Sequence, residues 1–213
     1  MVEAPARNRV APTGVIIAVA GRGAWMGNRG RLHEGRGTRE VVRNHRGKAW
    51  ITCRLSFKGW RAAQWEPTHY TPLFFLDEAV AFAAGHRPCA ECRRGDYHAY
   101  ARAWVRAFGG ERPRSYEMDA RLHAERLPRT LRAYPWPGLP DGVFVDTEHG
   151  PAVTVGAELV VWDDTTNAYQ RRLPRPRRGA ARVITPPANV AILAAGYPVQ
   201  IGAQRTRAPD GGR

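Results

Sequence analysis

The chain has 213 residues, 43% of them apolar and seven of them tryptophan, which is enough to bury a core and excludes a disordered composition. No stretch approaches the roughly eighteen consecutive apolar residues of a membrane-crossing helix. The apolar run 14–21 (GVIIAVAG) lacks the flanks of a signal peptide, so no membrane partner is expected and the cytoplasm is the default location. Lysine and arginine number 33 against 19 acidic residues, a formal net charge of +14, and only Lys48 and Lys58 are lysines. Arginine keeps its charge at any working pH, and its planar fork fits phosphate oxygens and guanine edges, which favours a polyanionic partner. A GC-rich genome, which inflates Arg, Ala, Gly and Pro together, is the competing source of this composition.

In chain order, residues 1–13 are polar and proline-containing and read as a loose arm, followed by a strand over 15–20. Residues 21–33 read as a Gly/Arg loop carrying Trp25. Residues 41–43 and 49–55, separated by the turn-like segment 44–48, predict a β-hairpin. A loop over 58–71 leads to a short apolar strand over 72–76. Asp77 then stands at an N-cap position, and the helix 78–84 ends at Gly85. Tyr97, Tyr100, Ala101, Trp104, Val105 and Phe108 recur at helical spacing, so 93–108 is an amphipathic helix with an arginine-bearing outer face. A further helix is expected over 117–126 and a proline-rich connection over 135–140. From Gly142 onward short strands at 143–145, 152–155, 158–162 and 181–184 alternate with turns and with a basic run at 171–178. A short helix over 189–195 and a polar tail from 203 follow.

Three cysteines, Cys53, Cys89 and Cys92, are too few and too closely spaced for a disulfide framework. The C-x2-C pair Cys89/Cys92 offers two thiolates to one zinc ion through a tight turn whose amides stabilise the sulfurs. Cys53 is the expected third ligand; a small buried apolar residue on a strand is its alternative role. No βαβ context supports a thioredoxin-like redox pair.

Within residues 50–94, the segments Trp50-Ile51-Thr52-Cys53, Leu73-Phe74-Phe75-Leu76-Asp77-Glu78-Ala79 and Gly85-His86-Arg87-Pro88-Cys89-Ala90-Glu91-Cys92 resemble the zinc domain of the Ada-type DNA phosphotriester-repair proteins. The resemblance implies that Cys53 both binds zinc and accepts a methyl group from the DNA backbone, with Cys89 and Cys92 as the paired ligands. The family carries a fourth cysteine four residues after the first; here that position is Phe57. A fourth ligand therefore has to be His86, His69, His123 or water, and the full thiolate charge that makes one sulfur nucleophilic is incomplete.

Other residues invite functional readings. Asp119 and His123 lie four apart on one helix face, where His123 can act as ligand or general base with Asp119 orienting it; a charged solvent-facing stripe is the plainer alternative. His123-Ala124-Glu125 together with Pro88-Cys89-x-x-Cys92 holds both halves of a zinc deaminase signature, in reversed order. In the 21–33 segment, Met26 replaces the third glycine of a phosphate cradle and no Gly-Lys-Ser/Thr follows, which rejects a nucleotide P-loop. Arg22, Arg29 and Arg31 can instead meet phosphates there while Trp25 stacks on a base, and Arg87, Arg93 and Arg94 flank the cysteines.

The expected architecture is α+β: an Ada-like zinc-binding unit over 1–108, a helical connector over 109–140, a small β-rich, barrel-like unit over 141–202 and a polar tail over 203–213. The expected function is zinc-stabilised binding of nucleic acid, DNA in the first instance, in repair or genome defence. A metal-dependent nucleic-acid hydrolase (nuclease, glycosylase or deaminase type) using His33, Asp119, His123 and Glu125 is the alternative.

Overall fold

Strand β1 (Arg7–Val10) opens the fold in a computed structural model that describes residues 4–34, 39–61, 64–128 and 130–203. It pairs antiparallel with β2 (Ile16–Ala18) and buries Asn8 and Val10, so residues 7–10 are sheet rather than a loose arm. A second departure lies in the Gly/Arg segment. There β3 (Trp25–Asn28) runs antiparallel to both β4 (Ile51–Cys53) and β5 (Leu73–Phe75). Its glycines serve close approach. A Cβ on Gly27 would stand 2.2 Å from the Ile51 carbonyl oxygen, and one on Gly23 would stand 2.4 Å from that of Phe75.

The hairpin expected between 41–43 and 49–55 does not form. Val41 makes an isolated bridge with His33, while β4 pairs with β3 on one side and runs parallel to β6 (Arg87–Pro88) on the other. A strand whose Thr52 and Cys53 are buried takes a central place, and both of its edges are then occupied. The first sheet has the order β2-β1-β5-β3-β4-β6.

Between β5 and β6 runs α1 (Glu78–Ala83), capped by the Asp77 carboxylate, which accepts from the Val80 amide at 2.8 Å. All six helix residues are buried, and Gly85 ends the turn at φ +84°. Helices α2 (Arg94–Phe108) and α3 (Ser115–Arg126) follow as the apolar spacing predicts, with Tyr100, Trp104, Met118 and Leu122 buried.

The second sheet is built from β7 (Arg132–Pro135), β8 (Phe144–Thr147), β9 (Gly150–Val155), β10 (Glu158–Asp163), β11 (Ala168–Pro174) and β12 (Ala180–Val183), in the order β11-β10-β9-β8-β12-β7. Strands β11 and β7 lie at opposite edges, so the sheet is open and the barrel-like expectation is corrected. Part of the basic run belongs to β11, because the apolar centre of β10 needs a partner on each edge and β9 supplies one of them. The class itself is mixed α and β, as expected.

Apolar packing crosses the boundaries expected at 108 and 140. One cluster joins Phe82, Tyr100 and Trp104 to Val143, Val145 and Ile192. Another joins Val10, Phe75 and Val80 to Phe144, Val153 and Trp162. Helix α4 (Pro187–Ala194) is tied in by buried Asn189, whose amide nitrogen donates to the carbonyls of Phe82 (2.9 Å) and His86 (3.2 Å) while its oxygen accepts from the Tyr100 hydroxyl at 2.7 Å. Asn189→Ala strands those groups without water. It is expected to cost about 2–3 kcal/mol and to lower the melting temperature by about 5–10 °C; an unchanged thermal melt would remove Asn189 as the tie between α4 and α1.

Candidate metal centre

The parallel pairing of β4 and β6 sets Thr52 opposite Pro88, and the Cys89 amide donates to the Thr52 carbonyl at 2.9 Å. Cys53, one residue beyond on β4, is thereby placed beside the Cys89–Cys92 turn at the start of α2. The sulfurs of Cys53, Cys89 and Cys92 all lie within 4.8 Å of one another. Three sulfurs bound to one zinc ion at about 2.3 Å stand roughly 3.8 Å apart, so closing their separations by at most about 1 Å completes three corners of a coordination shell. Three thiolates are soft ligands, suited to zinc or copper(I) and unsuited to magnesium or calcium.

Hydrogen bonds prepare the sulfurs. The thiols of Cys53 and Cys92 draw the Cys89 thiol well below the usual range, helped by the backbone N–H groups of Cys92 and Glu91. The Arg54 amide likewise points to the Cys92 sulfur. Cys53 is correspondingly pushed far up, first by its hydrogen bond to Cys89. Such a group releases its remaining protons when a metal binds.

The centre faces a cavity of about 400 Å³ walled by Met26, Phe57, Trp60, Tyr70, Arg54 and Glu91. Burial first, and then the negative charge of the cysteines and Glu91, push the Tyr70 phenol up to about 12. Among the described residues no histidine, aspartate or glutamate joins the three sulfurs. His69 is exposed and bonded to Thr68. His86 is fully buried, takes a hydrogen bond from Arg29 Nε at 3.2 Å and packs against Phe75 and Trp50. Burial, then the charges of Arg29 and Arg126, hold His86 neutral, far below its usual pKa. His123 lies against Arg126, His45 and Trp50.

The residues expected to form a catalytic cluster are not brought together. Both ring nitrogens of buried His33 are engaged, by Thr71 Oγ1 at 2.7 Å and the Glu66 carbonyl at 3.0 Å. Asp119 does not orient His123; it makes a two-pronged ion pair with Arg87, both contacts 2.8 Å and both residues buried. Glu125 caps α4 by accepting from the Ala188 amide at 2.7 Å, and it also pairs with Arg121.

Several arginines expected on a nucleic-acid surface are internal. Arg29 is fully buried and lies 3.9 Å from the Trp50 ring centre; Arg87 is committed to Asp119. Arg93 is buried between Glu78 (2.5 Å) and the Trp25 ring (4.0 Å), while the Trp25 indole N–H donates to Gln200. None of these three arginines can face a phosphate without unpacking, and Trp25 is half-buried. Arg22 and Arg94 are exposed, and Arg31 is half-buried with a hydrogen bond to the Pro67 carbonyl. The expectation omits Arg9, Arg54, Lys58, Trp60, Arg61 and Tyr70; the turn signal Lys58-Gly59 beside two aromatic residues is the one cue to them in the sequence.

Comparisons with family models, curated proteins and solved structures return no match. Removing one partner of the buried pair leaves an uncompensated charge, so Asp119→Ala is expected to cost about 3–5 kcal/mol in a denaturant melt. If Asp119 were instead a catalytic orienter, the same variant would keep its stability and lose only activity.

Proposed function

We propose that the chain is a zinc protein that binds nucleic acid, DNA in the first instance, and serves repair or defence of the genome. The observation that carries this reading is the convergence of Cys53, Cys89 and Cys92 on the wall of a cavity that also presents Arg54 and Lys58. Zinc is favoured over hard divalent ions such as magnesium and calcium by the three thiolate donors, whose charge the amide hydrogen bonds stabilise. Nucleic acid is favoured by the net charge of +14 and by its supply almost wholly as arginine. DNA and repair rest on the resemblance of residues 50–94 to the Ada-type zinc domain.

Three thiolates on a divalent zinc leave one negative charge and one coordination position to be met by water or by a group of the partner. Phe57, where that family has a cysteine, supplies no donor, which makes one-time methyl acceptance at Cys53 less apt than reversible binding. A second reading has support in Glu91. A carboxylate on the cavity wall can take a proton from a zinc-bound water, which is the arrangement of metal-assisted hydrolysis. Under that reading Glu91→Gln removes turnover of a nucleic-acid substrate while leaving zinc content unchanged.

Purified protein is expected to carry one zinc per chain by elemental mass spectrometry, and Cys53→Ser, Cys89→Ser or Cys92→Ser to lose most of it. The logarithm of DNA affinity is expected to fall linearly with that of salt concentration. A chain with no bound metal, or with salt-insensitive DNA affinity, is incompatible with the proposal.

A further inference from the structure

Two cavities on the first sheet share a wall. Met26 lines both the metal cavity and a second cleft of about 460 Å³, which is walled further by Arg9, Arg22, Leu55, Arg61 and Phe74. Between them the two carry five cationic side chains (Arg9, Arg22, Arg54, Lys58 and Arg61) and one carboxylate, that of Glu91. Arg22, Arg54, Lys58 and Arg61 are exposed. They contrast with Arg87 and Arg93, whose charges are spent on buried carboxylates.

One residue at this place is presented rather than packed. Trp60 is 52% exposed, although the chain buries Trp50, Trp104, Trp136 and Trp162. It is held by a two-residue turn, Lys58 at φ 52° and Gly59 at φ 77°, closed by reciprocal hydrogen bonds between the backbones of Phe57 and Trp60 at 3.0 and 3.1 Å. This is the geometry of the tightest hairpin turn, so the backbone of Trp60 is fixed and its indole lines the metal cavity while standing open to solvent. The Tyr70 ring stands behind it, 6.5 Å between centres.

From this arrangement we infer that the cleft and the metal cavity form one binding track for single-stranded DNA, with a base stacked on Trp60 and the flanking phosphates held by Arg22 and Arg61, while half-buried Arg9, whose Nε donates to the Gly21 carbonyl, lines the floor. The inference rests on the nucleic-acid reading above and narrows it. A cationic groove with an aromatic platform is how unpaired strands are bound without sequence readout. A duplex keeps its bases stacked inside, and its backbone alone could use the arginines but not the indole. Another cationic surface, formed by Arg102 and Arg106 on α2 with Arg112 beyond its end, has no tryptophan, tyrosine or phenylalanine among its lining residues.

The test is fluorescence anisotropy of the zinc-loaded full chain with a labelled twelve-nucleotide single strand, the same strand as duplex, and its RNA equivalent. The single DNA strand is expected to bind at least tenfold more tightly than the duplex. Trp60→Ala is expected to weaken it about tenfold, the loss of one base–aromatic stack, with Trp60→Phe restoring most of the loss. The double variant Arg22→Glu/Arg61→Glu is expected to abolish binding and Arg102→Glu to leave it unchanged, all with unaltered zinc content and thermal melts. Equal affinity for the duplex, indifference to Trp60→Ala, or loss on Arg102→Glu would overturn the track while leaving nucleic-acid binding in place. Preference for the RNA strand would overturn the choice of DNA. Failure of every strand to bind at low salt would bring down the broader reading as well.

Discussion

The parallel pairing of β4 with β6 is the constraint on which the candidate site depends. Cys53 and Cys89 are separated by a strand, a helix and a long loop, and two pairs of aligned residues, Ile51 with Arg87 and Thr52 with Pro88, bring them to one place. A two-residue parallel pairing is weak alone, because parallel ladders gain less per residue and close a long loop. Its neighbours hold it. The Arg87 guanidinium is locked by Asp119 from α3, and Arg93, one residue after the cysteine turn, is locked by Glu78 at the start of α1. Two buried ion pairs thus bracket the C-x2-C turn and fix its position against the strand that carries Cys53.

Those pairs also explain where the arginines go. A basic chain invites the expectation that its arginines face a polyanion, yet Arg29, Arg87, Arg93 and Arg126 are all buried. Arg29 and Arg126 both stack on Trp50, 3.9 and 3.7 Å from its ring centre, and Arg126 donates to the carbonyls of Gly85 and Lys48. Burial outweighs the attraction of Asp119 and lowers the Arg126 pKa to about 9. These side chains do the work of core residues, filling volume with their methylenes and their flat guanidinium faces while satisfying loop carbonyls that no secondary structure serves. Net charge in this molecule therefore overstates its surface charge.

What could be read from the sequence follows from how local each signal is. Helix α1 with its Asp77 cap and Gly85 stop, the helices α2 and α3, and strands β8 to β10 are written in short-range periodicity and capping chemistry, and all are present close to their expected bounds. Strands β1, β3 and β11 were hidden in segments rich in Arg, Gly, Asn and Gln, residues that join a sheet only because a neighbouring strand needs a partner. Glycine misleads most at Gly23 and Gly27, where its small size, and not its freedom, is what the sheet requires. For the site, the three cysteines were legible because their chemistry allows few other uses. The pairing of Asp119 with Arg87 was not, since helix spacing reports which residues share a face but not which partner that face meets.

Phe57 joins these threads. With a cysteine at that position, four thiolates would close the shell and give the centre two net negative charges. With phenylalanine, the position turns into the first residue of the Lys58-Gly59 hairpin, its ring lining the cavity and its backbone holding Trp60. Phe57 therefore adds no donor to the three cysteines and supplies one wall of the cavity that they face. Three thiolates carry one unit less negative charge than four, and Arg54 and Lys58 line the same cavity, so its cationic side chains face a weaker opposing charge. Three cysteines and an exposed indole thus share one cavity because the turn after Phe57 brings Trp60 beside them.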